Sequence, residues 1–286
     1  MCKKIKLFAD CKCELGESPM YNKKEKMLYW HGFHGEIYRK PINDDPNDFE
    51  CFQLSIGRIG SMVFTDSEYM LLFGEKGTVW KWKANTKPIL YKNFKKSLFN
   101  DVITDKKGRV YCGMLADNYF DSETRGKYGY LMILENGELK TVDEVGTTPN
   151  GIRFSPELDK LYFAVTDEDR IYEYKYNVNT GELLDKKVFA ENCSPDGITI
   201  DSKGNLWVTD CRPGGPLICY NPNGEIIEKL YFDTHRVISV AFGGENNDLM
   251  FVTTACKHEV ADGKDGGIFV VEDAGIGAEE YLFHLD

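Results

Sequence analysis

The sequence predicts an all-β fold: a six-bladed β-propeller with four antiparallel strands per blade, spanning residues 1–286 as a single domain. Three observations predict it. First, a motif recurs six times. A polar residue opens a short apolar segment, a turn rich in Asp, Lys, Gly and Asn follows, and an apolar or aromatic pair comes ten or eleven residues after the polar residue. Second, the steps between leading residues are about 40 to 50 residues, the period of a propeller blade. Third, residues of high strand propensity dominate the periodic segments, and no segment keeps helical periodicity over more than about two turns.

The repeats can be followed along the chain. Glu17 leads to Leu28-Tyr29, Ser61 to Leu71-Leu72, and Asn100 to Val110-Tyr111. Asn150 leads to Leu161-Tyr162, Asp196 to Leu206-Trp207, and Ser239 to Leu249-Met250. The fourth repeat shows the blade most fully. Residues 151–154 read as its first strand, 160–165 as its second, 170–176 as its third and 183–189 as its fourth. Turn residues 155–159, 166–169 and 179–181 separate them. The fifth repeat places strands at 205–209, 217–220 and 225–231, with Asn221-Pro222-Asn223-Gly224 as a turn. In the last blade, residues 267–271 supply a third strand. A strand from one chain end, residues 5–9 or 281–284, is expected to complete it. Longer stretches interrupt the pattern at 116–128, 210–216 and 257–266, and long loops on a rigid scaffold often line a site.

Composition bounds the function. Apolar residues make up 42% of 286, enough for a sizeable core. The formal net charge of −11 is spread along the chain, which argues against a nucleic-acid partner and against docking on an anionic membrane. The nine cysteines are odd in number and include no CxxC, and the N-terminus has no apolar run of signal-peptide length. These features lead us to expect free thiols and a cytoplasmic location. Cys11 and Cys13 form a CxC, too few ligands for a structural zinc site. No apolar stretch approaches the ~20 residues of a transmembrane helix. The expected partner is a small molecule, and the expected state is a monomer or weak dimer.

In a propeller the innermost strands face a central channel, so residues at their mouths converge although they lie far apart in sequence. Four of the six leading residues are Glu17, Asn100, Asn150 and Asp196. Glu17, Asn150 and Asp196 can bind one divalent cation through two carboxylates and an amide oxygen. Asn100 can ligate directly or hold a water. All-oxygen donors with few charges suit Ca²⁺ best and Mg²⁺ or Mn²⁺ next. Zinc, which prefers His or Cys, remains a possible occupant. Equal spacing to the following apolar pair favours a shared site over ordinary turn residues. Serine-nucleophile readings fail, because Ser18, Ser61 and Ser239 lack a GxSxG context. Tyr119, Arg125, Tyr128, Arg153 and Arg212 are candidates for a substrate wall.

Several segments are similar to a known family. Leu15-Gly16-Glu17-Ser18-Pro19, Phe99-Asn100-Asp101, Pro149-Asn150-Gly151 and Pro195-Asp196-Gly197 resemble signature segments of the gluconolactonase/regucalcin/luciferin-regenerating-enzyme family. So do Leu206-Trp207-Val208, Ala241-Phe242-Gly243-Gly244 and Gly266-Gly267-Ile268-Phe269. Each motif is weak, but the ordered set runs over nearly the whole chain. The resemblance implies a six-bladed propeller with one divalent cation, commonly calcium or zinc, held by Glu17, Asn150 and Asp196. It implies a substrate-contacting amide at Asn100 and hydrolysis of sugar-acid lactones. The chain also departs from the family. Leu98 stands where regucalcin-like members carry a substrate-contacting Arg, Asn118 where they carry a Glu, and His31 where they carry an Asp. The implied ligands are kept while the substrate wall has changed.

The resulting expectation is a metal-dependent lactonase. The cation would polarise the carbonyl, and Asp196, held ionised beside it, would accept a proton from the attacking water. Asn100 would donate its amide to the substrate or the oxyanion. The alternatives are a non-catalytic calcium- or ligand-binding propeller, an ester or phosphotriester hydrolase, and a sugar-acid isomerase or lyase.

Overall fold

The computed structural model describes residues 3–256 and 263–285. Among these residues, regular structure is almost wholly strand, interrupted by two 3-10 turns at Glu75–Gly77 and Thr166–Glu168. Six four-stranded antiparallel sheets make up the six-bladed β-propeller. No described helix is long and apolar enough to cross a membrane.

The chain divides into two compact units, Met1–Gln53 with Asp196–Glu279 and Leu54–Pro195 with Glu280–Asp286. In the first unit, β1 (Lys4–Ala9) is followed by a sheet of β2 (Glu17–Asn22), β3 (Met27–His31), β4 (Glu36–Pro41) and β5 (Glu50–Gln53). The second unit carries three sheets. They are β6 (Ile59–Phe64), β7 (Met70–Gly74), β8 (Thr78–Trp82) and β9 (Ile89–Asn93); β10 (Phe99–Thr104), β11 (Val110–Met114), β12 (Gly129–Glu135) and β13 (Glu138–Val145); and β14 (Pro149–Phe154), β15 (Lys160–Val165), β16 (Arg170–Tyr176) and β17 (Leu183–Glu191). The first unit then resumes with β18 (Pro195–Ile200), β19 (Leu206–Asp210), β20 (Leu217–Tyr220) and β21 (Ile226–Leu230). Its last sheet joins β22 (Val237–Gly243), β23 (Leu249–Thr254) and β24 (Ile268–Glu272) to the N-terminal β1.

Of the two chain ends, the N-terminal one completes this last sheet, through Lys4↔Glu272 and Leu7↔Phe269 pairing. Residues 281–284 form no strand. They make a single parallel bridge, Thr65↔Phe283, and Phe283 and Leu285 pack on the core of the second unit. The second and third strands of the fourth repeat fall where the sequence places them. Its first strand starts earlier, at Pro149, and so includes Asn150. The expected loop at 257–266 lies partly outside the described residues.

Burial grades across each sheet. First strands are almost wholly buried, as in β18 and β22, while fourth strands such as β9 and β17 are largely exposed. The cores lie between neighbouring sheets. Val63, Leu71 and Phe73 pack with Phe99, Val102 and Val110, and Tyr111 and Leu131 pack with Ile152 and Phe163. In the first unit Trp207 and Leu217 pack with Val240 and Val252, and Phe8 packs with Leu28, Trp30 and Phe251. Fully burying one such side chain contributes about 1.5–3 kcal/mol. A blade that cannot bury both faces alone is therefore stabilised by its neighbours.

Candidate functional site

Five of the six first strands share a feature at their leading residues. Between Pro149↔Val165 and Ile152↔Phe163 the strand β14 spends one residue more than β15, which makes a β-bulge at Asn150. The same irregularity lies between Glu17 and Met20, Ile59 and Ser61, Phe99 and Val102, and Val237 and Val240. A bulge leaves a residue out of the ladder, bends the strand and redirects a side chain. Alternation alone would turn each leading residue to a sheet face; the bulge frees it to turn along the strand end. At Glu17 the backbone is also strained, since the following Ser18 has φ +46° without being glycine. Such conformations cost of order 1–3 kcal/mol and cluster at functional positions.

In the second unit the hydrogen bonds settle the amide orientations. The Pro149 carbonyl can only accept, so the atom of Asn100 lying 2.9 Å from it is the donor Nδ2. The same nitrogen donates at 3.1 Å to Asn150 Oδ1. Asn150 Nδ2 in turn donates to Thr166 Oγ1 at 3.0 Å, and the Thr166 hydroxyl passes its own hydrogen to the Pro195 carbonyl at 2.7 Å. Both amides are thus oriented, each link requiring the next. Both N–H bonds of Asn100 are committed, so its free group is the carbonyl oxygen, an acceptor. This differs from the donor role expected for Asn100 from sequence.

In the first unit, Asp196 is buried on β18, with 8% of its surface exposed. Gly197 follows it, where an added Cβ would lie 2.5 Å from Ser239. The Thr209 hydroxyl lies 3.0 Å from the Gly197 carbonyl and 2.6 Å from that of Ile238, bracing β18 against β22. The Ser239 N–H donates to Thr253 Oγ1 at 2.9 Å. Glu17 is half-buried and pairs across the ladder with His31. His31 is buried, and its Nδ1 donates to the Gly32 carbonyl at 2.9 Å, which leaves Nε2 as the acceptor in the neutral ring.

Thr166, Thr209 and Thr253 were legible only in retrospect. Each follows a valine at the end of a second strand, in Val165-Thr166, Val208-Thr209 and Val252-Thr253. The recurring dipeptide is a sequence signal for the residues that hold the leading positions. Replacing Thr166 by Val keeps the shape and removes both hydrogen bonds. Where a cation is held by Asn150, losing the residue that orients it costs about 10–100-fold in affinity, so calorimetry on Thr166→Val tests whether Thr166 positions a ligand.

Of the remaining candidates, Arg212 lies in the first unit, where its Nε donates to Asp210 Oδ1 at 2.8 Å, and the others spread over the second unit. Leu98 is buried, and its carbonyl accepts from the Leu115 N–H at 3.0 Å. Asn118 is exposed at φ +51° and closes the turn to Asp121. In the same loop the Tyr119 hydroxyl lies 3.0 Å from Thr148 Oγ1, and the Arg125 guanidinium covers the Tyr119 ring at 4.7 Å. Arg153 donates from Nη1 to the Ile152 carbonyl at 2.8 Å and lies 3.7 Å from Glu280.

Half-buried Asp101, next to Asn100, has its carboxyl pushed up to about 6. Neighbouring atoms exclude water from the carboxyl, and the charge of Arg153 offsets this only in part. A carboxyl raised on folding costs no stability below its unfolded value of 3.8 and a growing amount as pH climbs toward about 6. Asp101→Asn should therefore gain on the wild type between pH 4 and pH 7, by about 1–3 kcal/mol. Denaturant unfolding in chelator at the two pH values measures this, and an equal difference at both would contradict it.

Among the described residues no three His, Cys, Asp or Glu side chains cluster as a metal group. A cation would therefore need the amide oxygens. Oxygen donors of this kind suit a hard cation: a bulge lies at the carboxylate Glu17 and another at Asn150, whose oxygen keeps a lone pair beyond its bond from Asn100.

Comparison with known proteins agrees with the fold. The pentonolactonase XacC of Haloferax volcanii is 31% identical over 284 residues, covering 97% of this chain and 92% of its own. Chicken regucalcin (Gallus gallus) is 26% identical over 303 residues, covering 98% of each. The solved luciferin-regenerating enzyme superposes with a TM-score of 0.86 at 20% identity, covering 99% of this chain and all of its own. The description "SMP-30/Gluconolactonase/LRE-like region" matches residues 15–256, and the chain belongs to that family.

Proposed function

We propose that the protein hydrolyses the lactone of a sugar acid, using one divalent cation, Ca²⁺ by preference, held by Glu17, Asn150 and Asp196. The observation that carries this reading is the bulge at the leading residue of successive first strands, which exempts oxygen-bearing side chains from strand alternation. The 31% identity to a pentonolactonase over nearly the full chain supports the substrate class. When bound, such a cation polarises the lactone carbonyl and stabilises the charge that develops on its oxygen.

The chain's own groups do the rest. Asp196 accepts the proton of the attacking water. Asn100, with both N–H bonds committed, presents its carbonyl oxygen to a substrate hydroxyl and so orients the ring. Thr166 holds Asn150 in the orientation that directs its oxygen rather than its nitrogen inward. Leu98, Asn118 and His31, with Arg153, make a wall that differs from that of regucalcin-like members and sets which lactone is accepted.

The test is a panel of pentonolactones, hexonolactones and aliphatic lactones, assayed with chelator and with Ca²⁺, Mg²⁺, Mn²⁺ or Zn²⁺ restored. Turnover of an aldonolactone that is lost in chelator and regained with Ca²⁺ is the expected result. Tight cation binding with no turnover of any lactone would overturn the reading in favour of a binding propeller.

A further inference from the structure

The structure brings together a pair of thiols that the proposed lactone chemistry does not use. Cys11 and Cys13 lie just before Glu17, and Cys13 Sγ donates to Cys11 Sγ across 3.4 Å. Extended backbone does not produce this approach. Lys12, between them, stands at φ +51°, a left-handed conformation that a lysine rarely takes. Its side chain is tied down at both sides, to Asp10 at 2.8 Å and to the Gly263 carbonyl at 2.7 Å. The Cys13 N–H donates to the Gly266 carbonyl, and the Cys13 carbonyl accepts from the Cys256 N–H. Strained backbone persists only where its surroundings over-determine it.

The surroundings of the pair favour a thiolate. The Trp30 indole and Tyr38 hydroxyl face Cys13, and with the Cys11 S–H they hold the Cys13 thiol below the usual range. The Trp30 N–H is completely buried and has no hydrogen-bond partner in the neutral state among the described residues, so a thiolate at Cys13 would supply its acceptor. Cys11 is pushed well above the usual range, because it keeps the one proton left between two close sulfurs. That proton can sit on either sulfur, and Cys11 is the half-exposed one while Cys13 is buried.

We propose that Cys11 and Cys13 form a reversible thiol–disulfide exchange site for low-molecular-weight disulfides of the glutathione type. Cys11, the more exposed sulfur, attacks one sulfur of the small disulfide as its proton passes to the Cys13 thiolate; the S–S bond breaks, and the thiolate released takes that proton from Cys13. Cys13 then attacks the Cys11 sulfur of the mixed disulfide and expels the second thiolate. The two protein thiols are oxidised to one disulfide, the small disulfide is reduced to two thiols, and the two protons leave with them. Cys51 is exposed and shares Tyr38 with Cys13, so it is the competing thiol that the experiment separates from Cys11.

The experiment treats the native full-length protein with oxidised glutathione and maps the products by mass spectrometry. The expected result is loss of two hydrogens with a Cys11–Cys13 cross-link, reversed by dithiothreitol and unchanged in Cys51→Ser. Cys13→Ser should accumulate one glutathione at Cys11, because the resolving thiol is gone, and Cys11→Ser should form neither product. A reduced Cys11–Cys13 pair beside a glutathionylated Cys51 would overturn the proposal. So would a Cys13–Cys51 disulfide, or the absence of an adduct at Cys11 in Cys13→Ser.

Discussion

Asp196→Asn is expected to lower kcat/KM on the best lactone by about 10³-fold, within the 10²–10⁴ range of a lost general base. The substitution keeps the shape of a buried side chain and removes its charge and its capacity to take a proton. In the proposed mechanism two losses combine, a cation ligand and the proton acceptor, and a partner variant separates them. Glu17→Gln weakens the cation only, so its rate should return as the cation concentration is raised. Asp196→Asn should stay slow at saturating cation, because no added metal replaces the base. A kcat/KM for Asp196→Asn within about tenfold of wild type, or full recovery with excess cation, would remove Asp196 from the chemistry.

Gly60→Ala tests the scaffold independently of any function. A Cβ built at Gly60 would lie 1.7 Å from the Phe99 carbonyl oxygen and 2.6 Å from its carbon. The obstacle is backbone of the neighbouring first strand β10, so no side-chain rotation relieves it. The two strands must separate, which breaks packing around Val63, Phe73 and Phe99. Overpacking of this kind costs about 3 kcal/mol or more, and at about 2–4 °C per kcal/mol the melting temperature should drop by roughly 6–12 °C. Asn100 follows Phe99, so its bond to the Pro149 carbonyl should loosen in the same variant. Gly214→Ala is the contrast. No atom lies within 4 Å of its added Cβ, and only the left-handed φ of +71° opposes it, a cost of about 1 kcal/mol. Equal melting shifts for the two variants would mean that β6 and β10 are not locked at Gly60.

The architecture was legible in the sequence because its signals are local and repeated. Alternating apolar residues mark half-buried strands, turn residues separate them, and a constant step between leading residues counts the blades. Lys160–Val165 and Arg170–Tyr176 fall where that pattern puts them. The start of β14 was less legible. The sequence starts that strand at residue 151, and the bulge that keeps Pro149 and Asn150 in it depends on Val165 and Phe163 across the ladder. The orientation of the Asn100 amide was beyond local reading for the same reason, since its donors are committed to residues of the next blade.

The sequence by itself determined the fold class, the number of blades and the polar residues that lead each repeat, because periodicity and residue type are properties of neighbouring residues. Only the tertiary structure decided which chain end closes the last sheet, where Lys4 pairs with Glu272. It alone showed the bulges, the bracing threonines and the Cys11–Cys13 approach. Each of these is a relation between segments distant in sequence or a backbone angle set by such contacts, and the free energy that selects it comes from packing and hydrogen bonds formed when those segments meet.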